Sequence, residues 1–317
     1  MNYIVLDLEW NQASESNDSR SEMLAFEIIE IGAVKLSSNL EIVSEFHELI
    51  RPQVYEEMHK ITEKLIHIHM EDLADCRLFQ EVMKDFLVWC GEEYMFGTWG
   101  PLDLTEMQRN MTFFGMEPLA DGPFKFYDIQ KMFSIAYEDS KNRRSLEYAI
   151  DFLKIEKEMP FHRAISDAWY TGRVLQMIKD PAVWQRVSFD TYTLPKDYRS
   201  EIHVVFDGYA KYISRAFPDK EALMEDREVI STKCYLCHRN LRRKLRWFTP
   251  NGKHYYSVSW CDKHGYMKGK IRVKKTDDDR VYAVKTTKFI SEKESESIRM
   301  KKERAKELRK EHQRRRS

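Results

Sequence analysis

Charge is segregated along this chain, and that limits how it can fold. Residues 1–230 carry 25 lysines and arginines against 42 aspartates and glutamates, a formal charge of −17, while residues 231–317 carry 27 against 10, or +17. Two regions with different surface chemistry are expected rather than one blended body, and 317 residues leave room for two domains at roughly 100–200 residues each. The 42% of hydrophobic residues suffices for a sizeable core. An acidic body can hold divalent metal among its carboxylates and a basic end can hold a polyanion; the two regions can also simply dock on each other. No stretch approaches the roughly 20 apolar residues that cross a bilayer, and no basic segment followed by an apolar run opens the chain, so a cytoplasmic location without a membrane partner is expected.

Periodicity divides the first region into strands and helices. From Asn2 to Glu9, Ile4, Leu6 and Leu8 alternate with Val5, Asp7 and Glu9, the period of a strand. Strands over Ile28–Lys35 and Glu41–Leu49, joined by the polar turn Ser37–Asn39, read as a hairpin, so the sheet begins antiparallel. Residues 11–22 are polar and patternless and read as a loop. Leu78, Val82, Phe86 and Trp89 line one face of a helix within Leu73–Cys90. Then follow a strand at Glu93–Thr98, a helix at Leu102–Phe114, a strand at Phe124–Asp128, and helices at Ser145–Leu153 and Ala164–Ile178. Alternation of this kind predicts an α/β fold, a mixed sheet flanked by helices.

Asp7 and Glu9, two apart on a strand, turn their carboxylates to one side. Adjacent carboxylates are costly to bury unless a cation sits between them, and a hard divalent ion prefers such oxygens; an edge strand with a solvated acidic face is the plainer alternative. Gly97-Thr98-Trp99-Gly100-Pro101 closes a strand and opens a helix, with Asp103 in its first turn. In His162-Arg163-Ala164-Ile165-Ser166-Asp167, His162 stands at a helix mouth and Asp167 lies farther along, so the two converge only if His162 is on the preceding loop.

These elements together resemble the three motifs of the DEDDh 3′→5′ exonuclease superfamily, which includes proofreading exonucleases, oligoribonuclease and ribonuclease T. Leu6-Asp7-Leu8-Glu9 matches the first motif, Asp103 the second, and His162 with Asp167 the third in its histidine form. Glu27-Ile28-Ile29-Glu30-Ile31-Gly32, Thr98-Trp99-Gly100 and His162-Arg163-Ala164 with Asp167-Ala168 are similar in wording to the exoribonucleases that trim histone mRNA and small RNAs. The resemblance covers residues 1–180 and implies a ribonuclease H-like domain. By it, Asp7, Glu9, Asp103 and Asp167 hold two Mg²⁺ or Mn²⁺ ions and His162 is the general base. It further implies hydrolysis at the 3′ end of single-stranded RNA, releasing nucleoside 5′-monophosphates. Trp10 and Trp99 flank catalytic positions, where they can stack on a terminal base or pack on a neighbouring helix.

The basic region lies outside that resemblance. Cys234-x₂-Cys237 and Cys261-x₂-His264 have the spacing of two chelating pairs, and so a structural Zn²⁺ is expected, with His238 a rival ligand. Arg242, Arg243 and Trp247 lie between the pairs among further cations and rings, a pattern suited to nucleic acid or to a core with a solvated basic face. The expected organisation is an exonuclease domain over 1–180, an aromatic connector over 181–230 packing on it with a helix at Val205–Ala216, and a zinc-ribbon-like β-rich module over 231–290. A charged tail over 291–317, helical or disordered, ends in Arg314-Arg315-Arg316. The alternatives to RNA trimming are a DNA 3′→5′ exonuclease and an inert nucleic-acid-binding scaffold; the basic end could also recruit a ribosome or another protein.

Overall fold

The computed structural model describes residues 1–13, 24–138 and 142–314. Of the loop expected over 11–22, residues 14–22 lie outside the described residues, as do Arg315 and Arg316. The chain divides into two compact units, Met1–Thr193 and Leu194–Ser317.

The first unit is built on a sheet of order β3-β2-β1-β4-β5-β6: β1 Asn2–Asn11, β2 Glu27–Leu36, β3 Ile42–Leu49, β4 Tyr94–Thr98, β5 Lys125–Asp128 and β6 Ser188–Phe189. β3, β2 and β1 are antiparallel, β1, β4 and β5 are parallel, and β6 is antiparallel to β5. The expected ribonuclease H-like mixed sheet is therefore present. The helices are α1 Lys60–Ile66, α2 Met70–Leu73, α3 Phe79–Cys90, α4 Leu102–Phe113, α5 Ile129–Tyr137, α6 Leu146–Leu153, α7 Ala164–Met177 and α8 Pro181–Trp184.

The period of two sorts β1 between two cores. Ile4, Leu6 and Leu8 join α3 and α4 through Phe79, Phe86, Leu104 and Met107, while Val5 joins α5, α6 and α7 through Phe133, Ile150, Tyr170 and Val174. Asp7 and Glu9 continue the Val5 row beyond the apolar layer, toward the end of the strand.

The second unit is a sheet of order β7-β8-β12-β11-β10-β9: β7 Ile202–Phe206, β8 Tyr209–Ile213, β9 Arg242–Phe248, β10 His254–Cys261, β11 Gly265–Lys275 and β12 Val281–Phe289. The pairings within it are antiparallel. Helix α9 spans Lys220–Glu225 and α10 spans Glu292–Arg314. Here the expectations need correction. Val205–Ala216 is not a helix: β7 and β8 form a hairpin turning at Gly208, which takes φ +82°, and β8 pairs with β12. The alternating burial of β7 is the strand signal that the aromatic composition obscured. The expected connector divides at Thr193, and the residues from Leu194 onward cluster with the β-rich module. The charged tail is helical through Arg314, and Ile298 is buried with Leu245, Tyr256 and Val258.

Among the described residues no helix is long and apolar enough to cross a membrane.

Candidate active site and metal centres

The acidic site is assembled by register and by one close helix–strand contact. In the β1–β2 ladder Asp7 stands opposite Gly32, and Glu9 opposite Glu30. A Cβ placed on Gly32 would lie 2.1 Å from the backbone carbon of Ala164. Only a glycine lets the first turn of α7 press on the sheet there, and that contact delivers Asp167 to Asp7 and Glu9. Carboxylate oxygens of these three residues lie within 4.8 Å of one another. Asp103, in the first turn of α4 and 7% exposed, comes from the other helical layer; it accepts hydrogen bonds from its own amide and that of Leu8. Three of the four predicted acids therefore share one cluster, and Asp103 stands close enough for its charge to raise Asp7.

Electrostatics shows that these acids do not ionise easily together. Burial, then the charges of Asp103, Glu9, Asp167 and Glu30, hold the Asp7 carboxyl well above its ordinary range. Burial, then Glu30, Asp167 and Asp103, pushes Glu9 up to about 8, against the pull of Arg163. Burial raises Asp103 to about 7 against its two amide hydrogen bonds. It raises Asp167 to about 6, although the His162 amide and ring lower it. Burial raises all four carboxyls, and neighbouring acids raise Asp7 and Glu9 further, so this cluster is a site for positive charge.

One atom tests whether a metal fits. Among the described residues, Asp167 Oδ1 is buried and has no hydrogen-bond partner, while Asp167 Oδ2 accepts the His162 amide at 3.2 Å. A buried carboxylate oxygen without a protein donor is costly, and a divalent cation is a partner that would satisfy it. The donor set is all oxygen, which suits Mg²⁺ or Mn²⁺.

His162 is exposed and takes φ +62°, immediately before Arg163, the N-cap residue of α7. It therefore stands on the loop before the helix, the condition under which it can reach the cleft beside Asp167. Trp10 is half-buried, 5.4 Å from the Phe26 ring. Trp99 packs beside Phe133 at 6.1 Å, and its indole N–H donates to the Arg144 carbonyl at 3.2 Å. Trp99 is thereby engaged in the α5 layer.

Three residues the sequence reading left without a role surround the acids. Glu30 is fully buried opposite Glu9, its carboxylate held by His47 Nε2 at 2.7 Å and by Arg163 Nε at 3.2 Å. Burial pushes Glu30 up, yet His47 and Arg163 together bring it below its ordinary value. Glu30 is thus a carboxylate with protein partners of its own, whose charge still raises Glu9 and Asp7. The Glu30 and Arg163 positions are both quoted in the motifs, but period and spacing alone do not pair residues 133 positions apart.

In the second unit, Cys234, Cys237, Cys261 and His264 offer ligand atoms within 4.8 Å of one another. Cys237 Sγ lies 3.7 Å from Cys261 Sγ, and His264 Nδ1 lies 3.4 Å from Cys234 Sγ and 3.5 Å from Cys261 Sγ. A tetrahedral Zn²⁺ with Zn–S of about 2.3 Å and Zn–N of about 2.0 Å sets S···S at ~3.8 Å and S···N at ~3.5 Å, so this cluster fits zinc. Two tight turns build it. His238 at φ +58° folds the first pair back, its amide bonding to the Cys234 carbonyl at 2.8 Å, and Gly265 at φ +83° opens β11 directly after the second. His238 itself is exposed and outside the ligand cluster. Arg242 and Arg243 are exposed on β9. Trp247, expected to stack on bases, is half-buried: its indole N–H donates to the Ile230 carbonyl at 2.9 Å and its ring packs on Gly269, against the core that contains Ile271 and Val281.

The exonuclease family model RNase T matches residues 4–175, just over half of the chain. Among curated proteins none matches. Solved structures with a similar arrangement include a full-length 3′-exonuclease, at 18% identity over 55% of this chain and 80% of that one, with TM-score 0.47. A second is the nuclease domain of 3′hExo, a DEDDh family member bound to rAMP, at 19% over 55% and 90%, with TM-score 0.47. A third is a 3′-exonuclease in 3′-end-specific recognition of the histone mRNA stem-loop, at 16% over 62% and 72%, with TM-score 0.49.

Proposed function

The chain belongs to the RNase T exonuclease family, and from that premise we propose that it trims the 3′ ends of single-stranded RNA, releasing nucleoside 5′-monophosphates. The observation that carries this reading is the convergence of Asp7, Glu9 and Asp167 within 4.8 Å, with Asp103 close enough to raise the Asp7 carboxyl.

Two Mg²⁺ or Mn²⁺ ions held by Asp7, Glu9, Asp103 and Asp167 would neutralise charge at the entering and leaving oxygens and acidify a bound water. His162 takes the proton of the attacking water as its oxygen forms the new bond to phosphorus. The bond from phosphorus to the 3′ oxygen of the preceding nucleotide breaks, and that oxygen leaves as the new 3′ hydroxyl after gaining a proton. Arg163 and His47 hold the Glu30 carboxylate in place opposite Glu9, where its negative charge adds to the cluster's demand for a cation.

Cys234, Cys237, Cys261 and His264 would bind a structural Zn²⁺, fixing the turn that precedes β9 and the turn that joins β10 to β11. The choice of RNA over DNA rests on the likeness of the motif wording to RNA-trimming exonucleases.

The test is incubation of 5′-labelled RNA and DNA of one sequence with Mg²⁺ or Mn²⁺. A ladder shortening from the 3′ end of RNA, with release of 5′-monophosphates, supports the reading. Faster trimming of DNA transfers the activity to a DNA 3′→5′ exonuclease, and binding without cleavage of either makes the chain a scaffold.

A further inference from the structure

β11 alternates strictly. Met267, Gly269 and Ile271 are buried, and Lys268, Lys270, Arg272 and Lys274 occupy the other face. At ~3.3 Å per residue these four cations form a straight row about 20 Å long. The flanking strands do not neutralise it. β12 places Lys288 opposite Lys268, Thr286 opposite Lys270 and Val284 opposite Arg272, and β10 places Val258, Tyr256 and His254 against the same three. Lys301 of α10 adds a further cation, 4.3 Å from the Tyr256 ring.

Among the described residues the four cations of the row make no ion pair with a carboxylate; Glu294 pairs with Lys288, at 3.7 Å. The crowding registers on two neighbours. Burial first, then Lys288 and Lys270, lowers the Lys268 ammonium against the pull of Glu294. Burial first, then Lys270, Arg272 and Lys301, lowers the His254 imidazole. Like charges set directly across a ladder destabilise it, and folding needs only polar side chains at these positions. A row of mutually repelling cations is relieved by a linear polyanion.

We propose that Lys268, Lys270, Arg272 and Lys274 form a track for the phosphate backbone of single-stranded RNA; RNA as the occupant rests on the trimming reading above. Tyr256 and Tyr282, the rings between the cations, are buried, Tyr256 packed with Ile298 of α10 beside the Lys268–Lys270 end of the row, so the track grips phosphates and does not stack bases. The row has no exposed apolar side chain among its members to insert into a lipid surface. It differs from the Arg242–Trp247 run, where Trp247 packs against the core.

The experiment measures binding of labelled oligoadenylate to the full chain carrying Asp7→Asn, across about 50 to 200 mM salt. Neutralising three cations with Lys270→Gln, Arg272→Gln and Lys274→Gln should make the plot of log K against log salt shallower by about 2, at ~0.7 per phosphate contact on a single strand. Exposed Arg272→Gln alone should remove about 0.7, and the exchange Lys270→Arg, Arg272→Lys, Lys274→Arg should keep the parental slope. A parental slope in both glutamine variants overturns the track, as does unchanged RNA binding with lost binding to phosphatidylserine vesicles. Hydrolysis of a dinucleotide by the chain with Asp7 intact separates the two readings. If it fails while the salt slope falls as stated, the track stands and the nuclease reading does not; if it proceeds while the slope is unchanged, the reverse holds.

Discussion

Gly32 and Ala164 touch backbone to backbone: a Cβ on Gly32 would fall 2.1 Å from the Ala164 carbon and 2.1 Å from the Ile165 nitrogen. Because Gly32 also faces Asp7 across the ladder, this one contact sets how far Asp167 stands from the other acids. Gly32→Ala should destabilise the fold by about 3 kcal/mol, the upper range for overpacking, and reduce metal-dependent cleavage in the folded fraction. Thermal unfolding and turnover measured on the same preparation check this; parental values for both would show that α7 does not seat on Gly32.

The raised carboxyls predict an unusual pH dependence. Asp167 at about 6, Asp103 at about 7 and Glu9 at about 8 remain protonated in the folded chain where the same groups of the unfolded chain, near pH ~4, have already ionised. The folded state then binds more protons than the unfolded state, so these groups favour folding below pH ~4 and that contribution is lost as pH rises to about 8. Added Mg²⁺ binds the ionised forms and should raise Tm more at pH ~8 than at pH ~5. Thermal scans with and without Mg²⁺ at the two pH values give the answer, and equal gains at both would contradict the shared titration.

His162→Ala should slow RNA trimming by roughly two to four orders of magnitude, the range for a lost general base. Mg²⁺-induced stabilisation should stay close to the parental level, because the substitution keeps the backbone amide that bonds Asp167 Oδ2. A rate within about twofold of the parent would remove the residue from the chemistry.

Elemental analysis of the purified chain should find one zinc per molecule, and Cys234→Ser should lose it. Cys234 is fully buried among its partner ligands, so the second unit should then unfold at a lower temperature. A parent chain without zinc would reject the Cys₃His centre.

The β1 alternation was legible because the period of two changes from Ile4-Leu6-Leu8 against Val5 to the same faces carrying Asp7 and Glu9, and a strand is the simplest path through both. The acids of α4 and α7 were legible through motif wording and helix-start signals. Glu30 and Arg163 were not paired in advance, since nothing local marks an ion pair spanning sheet and helix. The β7–β8 hairpin had a local signal in Asp207-Gly208 between Phe206 and Tyr209, which the aromatic composition of the segment masked. Trp99 and Trp247 show the ambiguity of an aromatic beside a functional motif: each spends its indole N–H on a backbone carbonyl inside its own unit.

The account depends most on four raised carboxyls being a seat for two cations. Titrating Mn²⁺ into the zinc-loaded chain, with a nucleoside 5′-monophosphate present, should reveal two bound ions per molecule, with that stoichiometry and affinity lost in Asp7→Asn. Parental Mn²⁺ binding in Asp7→Asn, or none in the parent, would contradict it.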